Sequence, residues 1–180
     1  GLDWAGREVV VIGSGATAVT LVPALADTAK RVTMLQRTPT WMVMGSRRDA
    51  LGAWLKRRFP GARGAWLARE KSLRISAYFF GLSRRKPERL AAMLRRFLKQ
   101  DLGKAYDPVH FEPPYAPWRQ RLCVVPGGDL YKAVKDGRAR VVTGTIATIE
   151  ADAVRLDSGA RVPADIIVTA TGLKLVMAGK

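Results

Sequence analysis

The sequence predicts an α/β fold of three layers built on a parallel sheet, and three observations near its start support this class. An apolar run at residues 9–12 has the length and composition of a strand buried on both faces. Small and aliphatic residues at 16–26 are suited to a helix packed on a sheet, and residues 32–35 are typical of a second strand. Because the apolar pattern continues past Pro23, we expect that helix to be unbroken.

The loop between this first strand and its helix reads Gly-Ser-Gly-Ala-Thr-Ala, a G-x-G-x-x-A pattern. Between a strand and a helix that leads to another strand, this pattern indicates a Rossmann-like, dinucleotide-binding unit. The first glycine permits the tight turn, the second lets backbone approach a pyrophosphate, and the final alanine lets the helix lie close to the strand. The helix N-terminus offers N–H groups and partial positive charge to phosphates. The predicted cofactor-binding residues are Gly13, Ser14, Gly15, Ala16, Thr17 and Ala18.

The residues after the second strand indicate which dinucleotide is bound. A site for NAD or FAD usually places Asp or Glu there to hold the ribose hydroxyls, whereas this chain has Gln36-Arg37-Thr38. Arg37 can hold a 2′-phosphate through two parallel N–H bonds, and Thr38 can add a hydroxyl donor. The sequence therefore predicts NADP(H) at this loop and argues against FAD there. An ordinary surface arginine is the alternative interpretation of Arg37.

Size and composition narrow the class of protein. The chain has 180 residues, enough for one domain with a real core, and no apolar run approaches the roughly 18 residues of a membrane span. A single cysteine and the lack of a secretory signal at the start favour a reducing, cytoplasmic location. Cys123 lies in an apolar run and is predicted to be a buried structural thiol. With His110 the one histidine and no Cys-x-x-Cys, we expect no metal site.

Positive charge is concentrated in one segment. Residues 47–104 hold 17 Lys plus Arg against 4 Asp plus Glu, while the remainder holds 14 against 11, within a net charge of +16. This segment departs from the strand–helix alternation, and its spacing of apolar residues predicts an amphipathic helical insertion. The predicted helices cover residues 48–58, 66–82 and 86–102, with Ser83 as the N-cap of the third and Pro87 in its first turn.

Two interpretations of the basic insertion remain open. In one it is a helical cap packed on its own protein, with the arginines on a solvated face. In the other it is a peripheral surface for anionic lipid, because basic amphipathic helices carrying Trp54, Trp66 and Phe79-Phe80 suit a membrane interface. No DNA- or RNA-binding motif is evident, so nucleic acid is not an expected partner.

The rest of the chain returns to strands. Prolines and aromatic residues at 106–120 predict an ordered loop, without helix, lying over a surface. A short helix is expected at 129–135 and is ended by Gly137. We predict further strands at 140–142, in a hairpin of 145–150 with 153–156, and at 164–170, the last one buried. The predicted division is 1–46 for the first βαβ unit, 47–105 for the insertion, and 106–180 for the remaining nucleotide-binding strands.

Taken in this order, five segments resemble the NADPH-binding domain of flavin-containing monooxygenases of the Baeyer–Villiger class, most closely the bacterial ketone and thioketone monooxygenases. The segments are VVVIGSGATA at 9–18, QRTP at 36–39, the helical insertion, PWRQRLCVVPGGDL at 117–130 and DIIVTATG at 165–172. The resemblance implies an enzyme in which NADPH reduces FAD and the reduced flavin, with oxygen, inserts an oxygen atom beside a ketone or oxidises sulfur. The substrate would be a small ketone or sulfur compound.

The resemblance also implies roles for residues late in the chain. Arg121 matches the arginine that stabilises the anionic peroxide beside the nicotinamide, and a structural salt bridge is its alternative role. Gln120 stands where several family members have a lysine that aids the 2′-phosphate, which leaves that contact to Arg37 and Thr38. Ala170-Thr171-Gly172 resembles the crossing between domains, where backbone approaches the cofactors.

The family's own FAD-binding loop and its F-x-G-x-x-x-H-x-x-x-W-P fingerprint are not found in these 180 residues. We therefore expect FAD to be held mainly by segments outside this sequence, and monooxygenation by this chain alone is not expected. Two other classes stay open, a non-catalytic NADP-binding module and a peripheral membrane-binding protein. A simple NADP-dependent dehydrogenase is disfavoured, because no Tyr-x-x-x-Lys pair follows the glycine loop.

Overall fold

The structure is a computed structural model that describes residues 3–45, 49–120 and 122–172. The described strands are β1 (Glu8–Ile12), β2 (Arg31–Gln36), β3 (Trp41–Gly45), β4 (Leu122–Pro126), β5 (Ala139–Thr143), β6 (Ile146–Ile149), β7 (Ala153–Leu156), β8 (Arg161–Pro163) and β9 (Ile166–Thr169). The described helices are α1 (Ala16–Leu25), α2 (Ala50–Arg58), α3 (Ala62–Arg85), α4 (Pro87–Leu102), α5 (Pro108–Phe111) and α6 (Asp129–Lys135), with a 3₁₀ turn at Gly103–Ala105.

A four-stranded parallel sheet, in the order β5-β2-β1-β9, forms the middle layer. Its strands carry apolar residues that alternate between two covered faces. Val9 and Val11 face a cluster formed with α1, α4 and α6, whereas Val10 packs against the antiparallel strands β6-β7-β8 on the other side. Such two-sided burial is why the sequence of β1 is a continuous apolar run. The predicted α/β class with a parallel sheet is confirmed, and Pro23 lies inside an unbroken α1.

A second, two-stranded parallel sheet pairs β3 with β4, and neither of these strands was predicted from the sequence. In β3, Trp41 and Met42 are buried. Trp41 and Val43 favour strands, but the run of five residues lacks the alternation of apolar and polar residues that predicts a half-buried strand. The partner strand carries Cys123, whose predicted burial is confirmed. This small sheet links the nucleotide-binding unit to the helices that follow.

The three helices predicted between the two parts of the fold are present as α2, α3 and α4. One face of α4 is buried by leucines at helical spacing, namely Leu90, Leu94, Leu98 and Leu102. The predicted cap at Ser83 is wrong, because α3 continues through it and its hydroxyl donates to the Phe80 carbonyl at 2.6 Å. Lys86 precedes α4 without a side-chain cap, and Pro87 occupies its first turn as expected.

Of three further expectations for residues 106–172, two are corrected and one, the hairpin, is confirmed. A short helix, α5, does form in the proline-rich loop, because Pro108 can occupy a first turn and the Asp107 carboxylate accepts from the Val109 N–H at 2.9 Å. The predicted hairpin is present as β6-β7 and is extended by β8, which was not predicted. The strand predicted at 164–170 is shorter and only partly buried, because β9 has one neighbouring strand among the described residues.

Candidate nucleotide-binding site

The candidate site lies at the carboxyl end of β1, where the chain order across the sheet reverses. β1 is followed by β2 on one side, while the much later β9 pairs with it on the other. The Gly13 N–H donates to the Leu35 carbonyl at 2.8 Å, and the Ala170 N–H donates to the Ile12 carbonyl at 2.8 Å. These bonds hold three strand ends together around one crevice. Open α/β sheets bind ligands at this position.

Gly13 is required by the close approach of two backbones. Its φ is +133°, a conformation that L side chains rarely adopt, and a Cβ built there would lie 2.3 Å from the Ala170 carbonyl oxygen. The predicted tight turn is therefore present, and the structure shows why it requires glycine. The loop is pressed against the end of β9.

The first turn of α1 is open to an anion. Gly15 is its N-cap residue, with no side-chain cap bond and no acidic residue in the first turn. Its φ of −84° is ordinary, so turn geometry alone does not require glycine at this position. Ala16 and Thr17 are exposed beside it, whereas Ala18 is fully buried in the core, in agreement with its expected packing role. Among the described residues, the N–H groups of this turn thus have no side-chain acceptor.

A buried hydroxyl pair fixes the glycine loop to the segment after β2. The Ser14 and Thr40 hydroxyls are 2.9 Å apart, and the Cys123 thiol lies 3.4 Å from the Ser14 carbonyl oxygen. The loop from β1, the segment after β2 and strand β4 therefore meet at Ser14. This contact gives Ser14 a structural role besides its predicted contact with phosphate.

A cleft with a volume of about 460 Å³ opens at this point, within the usual range for ligand sites. Seven of the predicted site residues line it, namely Gly13, Ser14, Arg37, Thr38, Gln120, Ala170 and Thr171. Among the described residues, no hydrogen bond or ion pair joins Arg37 to another side chain, and Arg37 is exposed. A cation in that state, beside an uncapped helix N-terminus, fits a dinucleotide with a phosphorylated ribose.

The remaining predicted site residues are not part of the cleft wall. Gly15, Ala16 and Thr17 form the start of α1 next to it, and Gly172 is exposed, with a φ of +107°. Arg121, the predicted catalytic residue, lies outside the described residues.

Sequence reasoning missed Thr40 and Tyr115 as parts of the cleft. The Tyr115 hydroxyl donates to the Pro39 carbonyl at 3.2 Å, and the Trp41 indole N–H donates to the Tyr115 carbonyl at 2.8 Å. The prediction that the aromatic loop lies over a surface is thereby confirmed. The prolines around Tyr115 gave the one local sign of an ordered segment, but the surface that it covers could not be identified from them.

The fold and the cleft define a dinucleotide-binding α/β unit, and sequence comparison connects it to flavin enzymes. The chain is 47% identical over 180 residues to the FAD-containing monooxygenase EthA of Mycobacterium tuberculosis, covering 99% of this chain and 37% of that protein. It is 41% identical to EthA of Mycolicibacterium smegmatis, with the same shares covered. The predicted resemblance to flavin-containing monooxygenases is confirmed. The chain spans somewhat over a third of the length of these relatives.

Solved structures of Baeyer–Villiger enzymes share the fold. A complex of OTEMO with FAD and NADP matches 97% of this chain and 39% of its own, with a TM-score of 0.65 and 22% identity. An oxidized steroid monooxygenase bound to NADP matches 97% of this chain and 40% of its own, with a TM-score of 0.66 and 18% identity. No protein-family model matches the chain.

Proposed function

We propose that this chain is the NADPH-binding part of an FAD-dependent monooxygenase of the Baeyer–Villiger type. The observation that carries the proposal is that Arg37 and Thr38 share one cleft with Gly13 and Ser14 at the reversal point of the sheet. The names of its sequence relatives, FAD-containing monooxygenases, support the flavin chemistry. In this proposal residues 1–46 and 106–180 form the nucleotide-binding unit, and residues 47–105 form an insertion within it.

The chain's own residues would bind and orient the dinucleotide. The α1 N-terminus receives the pyrophosphate, since its uncapped N–H groups favour an anion, and the loop backbone at Gly13 and Gly15 lets the pyrophosphate approach. Arg37 and Thr38 receive the 2′-phosphate. FAD, held mainly by other segments, would accept the hydride and supply the oxygen chemistry. Ala170, Thr171 and Gly172 would bring backbone close to the cofactors.

Two parts of the proposal rest on the resemblance alone. Arg121 would supply a permanent positive charge beside the nicotinamide, where negative charge develops in the reaction. The substrate would be a small ketone or a sulfur compound. Gln120 lines the cleft and would add one uncharged contact near the 2′-phosphate.

Competition between two adenosine phosphates tests the cofactor assignment. Adenosine 2′-monophosphate carries the phosphate assigned to Arg37, whereas adenosine 5′-monophosphate lacks it. We expect adenosine 2′-monophosphate to displace NADPH from the chain at a concentration about tenfold lower than adenosine 5′-monophosphate requires. The fluorescence of bound NADPH measures the displacement. Equal displacement by both compounds would contradict the assignment of the 2′-phosphate to Arg37 and Thr38.

A flavin experiment separates the proposal from a non-catalytic NADP-binding module. Flavin fluorescence of the purified chain, followed by NADPH oxidation with added FAD, reports whether these residues retain or use the flavin. We expect no flavin in the purified chain and little oxidation, with oxidation appearing when the FAD-binding segments of a relative are supplied. An absence of oxidation in that complemented sample would favour the non-catalytic module.

Peripheral membrane contact through residues 47–104 is a second candidate function, and one feature of α3 favours it. Trp66, Leu73 and Phe80 recur every seven residues and are 60%, 53% and 51% exposed, so they form one apolar line on the outer face of the helix. Arg63, Arg69, Arg84 and other exposed cations surround this line. An apolar line flanked by cations is suited to the interface of an anionic bilayer.

The location of the protein is a further part of the proposal. In the described parts of the chain, no helix combines the length and apolarity that a membrane crossing requires. We propose a cytoplasmic protein with a peripheral contact to the membrane.

Vesicle sedimentation tests the contact. We expect the chain to sediment with phosphatidylglycerol–phosphatidylcholine vesicles, and the triple variant Trp66→Ser, Leu73→Ser, Phe80→Ser to bind about tenfold more weakly. A matched control replaces three exposed apolar residues outside the insertion, Val109→Ser, Val124→Ser and Ile149→Ser, and should bind within about twofold of the unmodified chain. No sedimentation even at low salt would leave the insertion as a helical cap with a solvated face.

A further inference from the structure

Gln36 is the last residue of β2, directly precedes Arg37, and is 1% exposed. Its carboxamide nitrogen donates to the His110 carbonyl at 2.7 Å and lies 3.0 Å from the Thr143 hydroxyl. Because a carbonyl can only accept, the first bond fixes which end of the carboxamide faces α5. Both amide hydrogens are therefore used, one on α5 and one on β5.

Thr143 extends this connection. It pairs with Gln36 in the sheet, the Gly144 N–H donates to the Gln36 carbonyl at 2.9 Å, and the Thr143 hydroxyl lies 3.0 Å from His110 Nδ1. Since the hydroxyl accepts from Gln36, its own hydrogen can be donated to a neutral imidazole. Burial lowers the pKa of His110, and this effect outweighs the negative charge of Asp107, which raises the pKa. The neutral form of the imidazole is therefore favoured. A chain of hydrogen bonds thus joins the ends of β2, β5 and α5.

The segment that follows is held at its other end as well. The Pro39 carbonyl accepts from Tyr115, and the Thr40 hydroxyl bonds to Ser14. Between these buried positions, only Arg37 and Thr38 are exposed. The two residues assigned to the 2′-phosphate therefore form a short exposed segment, and hydrogen bonds hold the residues on either side of it.

We propose that Gln36 is a positioning residue that fixes Arg37 at the edge of the cleft and thereby determines the preference for NADPH over NADH. This inference rests on the proposed function. A guanidinium that holds phosphate through two parallel bonds must meet it in one orientation, and arginine has a long flexible side chain. A fixed backbone origin restricts that freedom, whereas a loosened strand end would spread the guanidinium over many positions.

Two variants remove the connection at different points. Gln36→Met keeps the length of the side chain and removes its hydrogen bonds, and Thr143→Val keeps the shape of the partner and removes its hydroxyl. The measured quantity is the ratio of the dissociation constants for NADH and NADPH, obtained by titration calorimetry on the full 180-residue chain. We expect Gln36→Met to reduce this ratio about tenfold and Thr143→Val to reduce it about threefold.

A control separates positioning from general destabilisation. Val154→Ala truncates a fully buried residue on the opposite face of the sheet and should lower stability without changing the ratio by more than about twofold. Circular dichroism establishes that each variant is folded, and Thr143→Val provides the result if Gln36→Met does not fold. If both folded variants retain the ratio of the NADH and NADPH dissociation constants, the role of Gln36 is wrong, while the proposed function still stands. An unmodified chain without preference for NADPH would overturn the proposed cofactor assignment and this inference with it.

Discussion

Replacement of Arg37 by alanine is expected to weaken NADPH binding about 100-fold and NADH binding by less than about threefold. The guanidinium is exposed at the cleft, and no described side chain forms an ion pair with it, so its charge is available to a ligand. Two charge-assisted hydrogen bonds to the 2′-phosphate account for a loss of this size. Only NADPH carries that phosphate, so the loss should fall on it almost entirely.

A control on the same strand tests this interpretation. Arg31 is exposed at the start of β2, at the end of the strand away from the cleft. Arg31→Ala removes the same charge and should leave both affinities within about twofold of the unmodified chain. If Arg37→Ala weakens NADH as much as NADPH, Arg37 does not select the cofactor, and the surface-arginine interpretation stands.

Replacement of Gly13 by alanine is expected to lower the free energy of unfolding by about 4 kcal/mol, measured by urea denaturation. The new methyl would meet the Ala170 carbonyl oxygen at 2.3 Å, at a φ that alanine rarely adopts. Relief of the clash would require β1 and β9 to separate at their carboxyl ends, where they hold the cleft. NADPH binding should fall with the loss of stability.

Gly159 serves as a control that separates the cost of a positive φ from the clash with Ala170. It also has a positive φ, +84°, but a Cβ built there meets no atom of the described residues within 4 Å. Gly159→Ala therefore carries the conformational cost without the clash and should lower stability by about 1 kcal/mol. Similar losses in the two variants would show that backbone conformation, and not the approach of Ala170, determines the requirement for glycine at residue 13.

The first βαβ unit was predictable because its signals are local. The apolar run of β1, the glycine loop and the small residues of α1 each restrict the conformation of adjacent residues. Cap and boundary assignments were less successful. Ser83 was assigned as a cap because serine favours that position, yet the chain continued as α3 and Lys86 ended the helix.

Elements whose stability depends on distant partners were missed. Strand β3 is short and lacks polar alternation, and it is held by pairing with β4, about 80 residues later in the chain. In the candidate site, too, a residue whose role depends on distant partners was missed. Arg37 and Thr38 could be assigned from their distance to the glycine loop, whereas Gln36 gains its significance from His110 and Thr143, which are remote in sequence.

Titration calorimetry of the unmodified chain with NADPH and with NADH tests the central assignment most directly. A phosphate held by Arg37 and Thr38 predicts saturable binding of NADPH with a dissociation constant about 100-fold lower than that of NADH. A folded chain that takes up neither dinucleotide, or that binds NADH as tightly as NADPH, would contradict it.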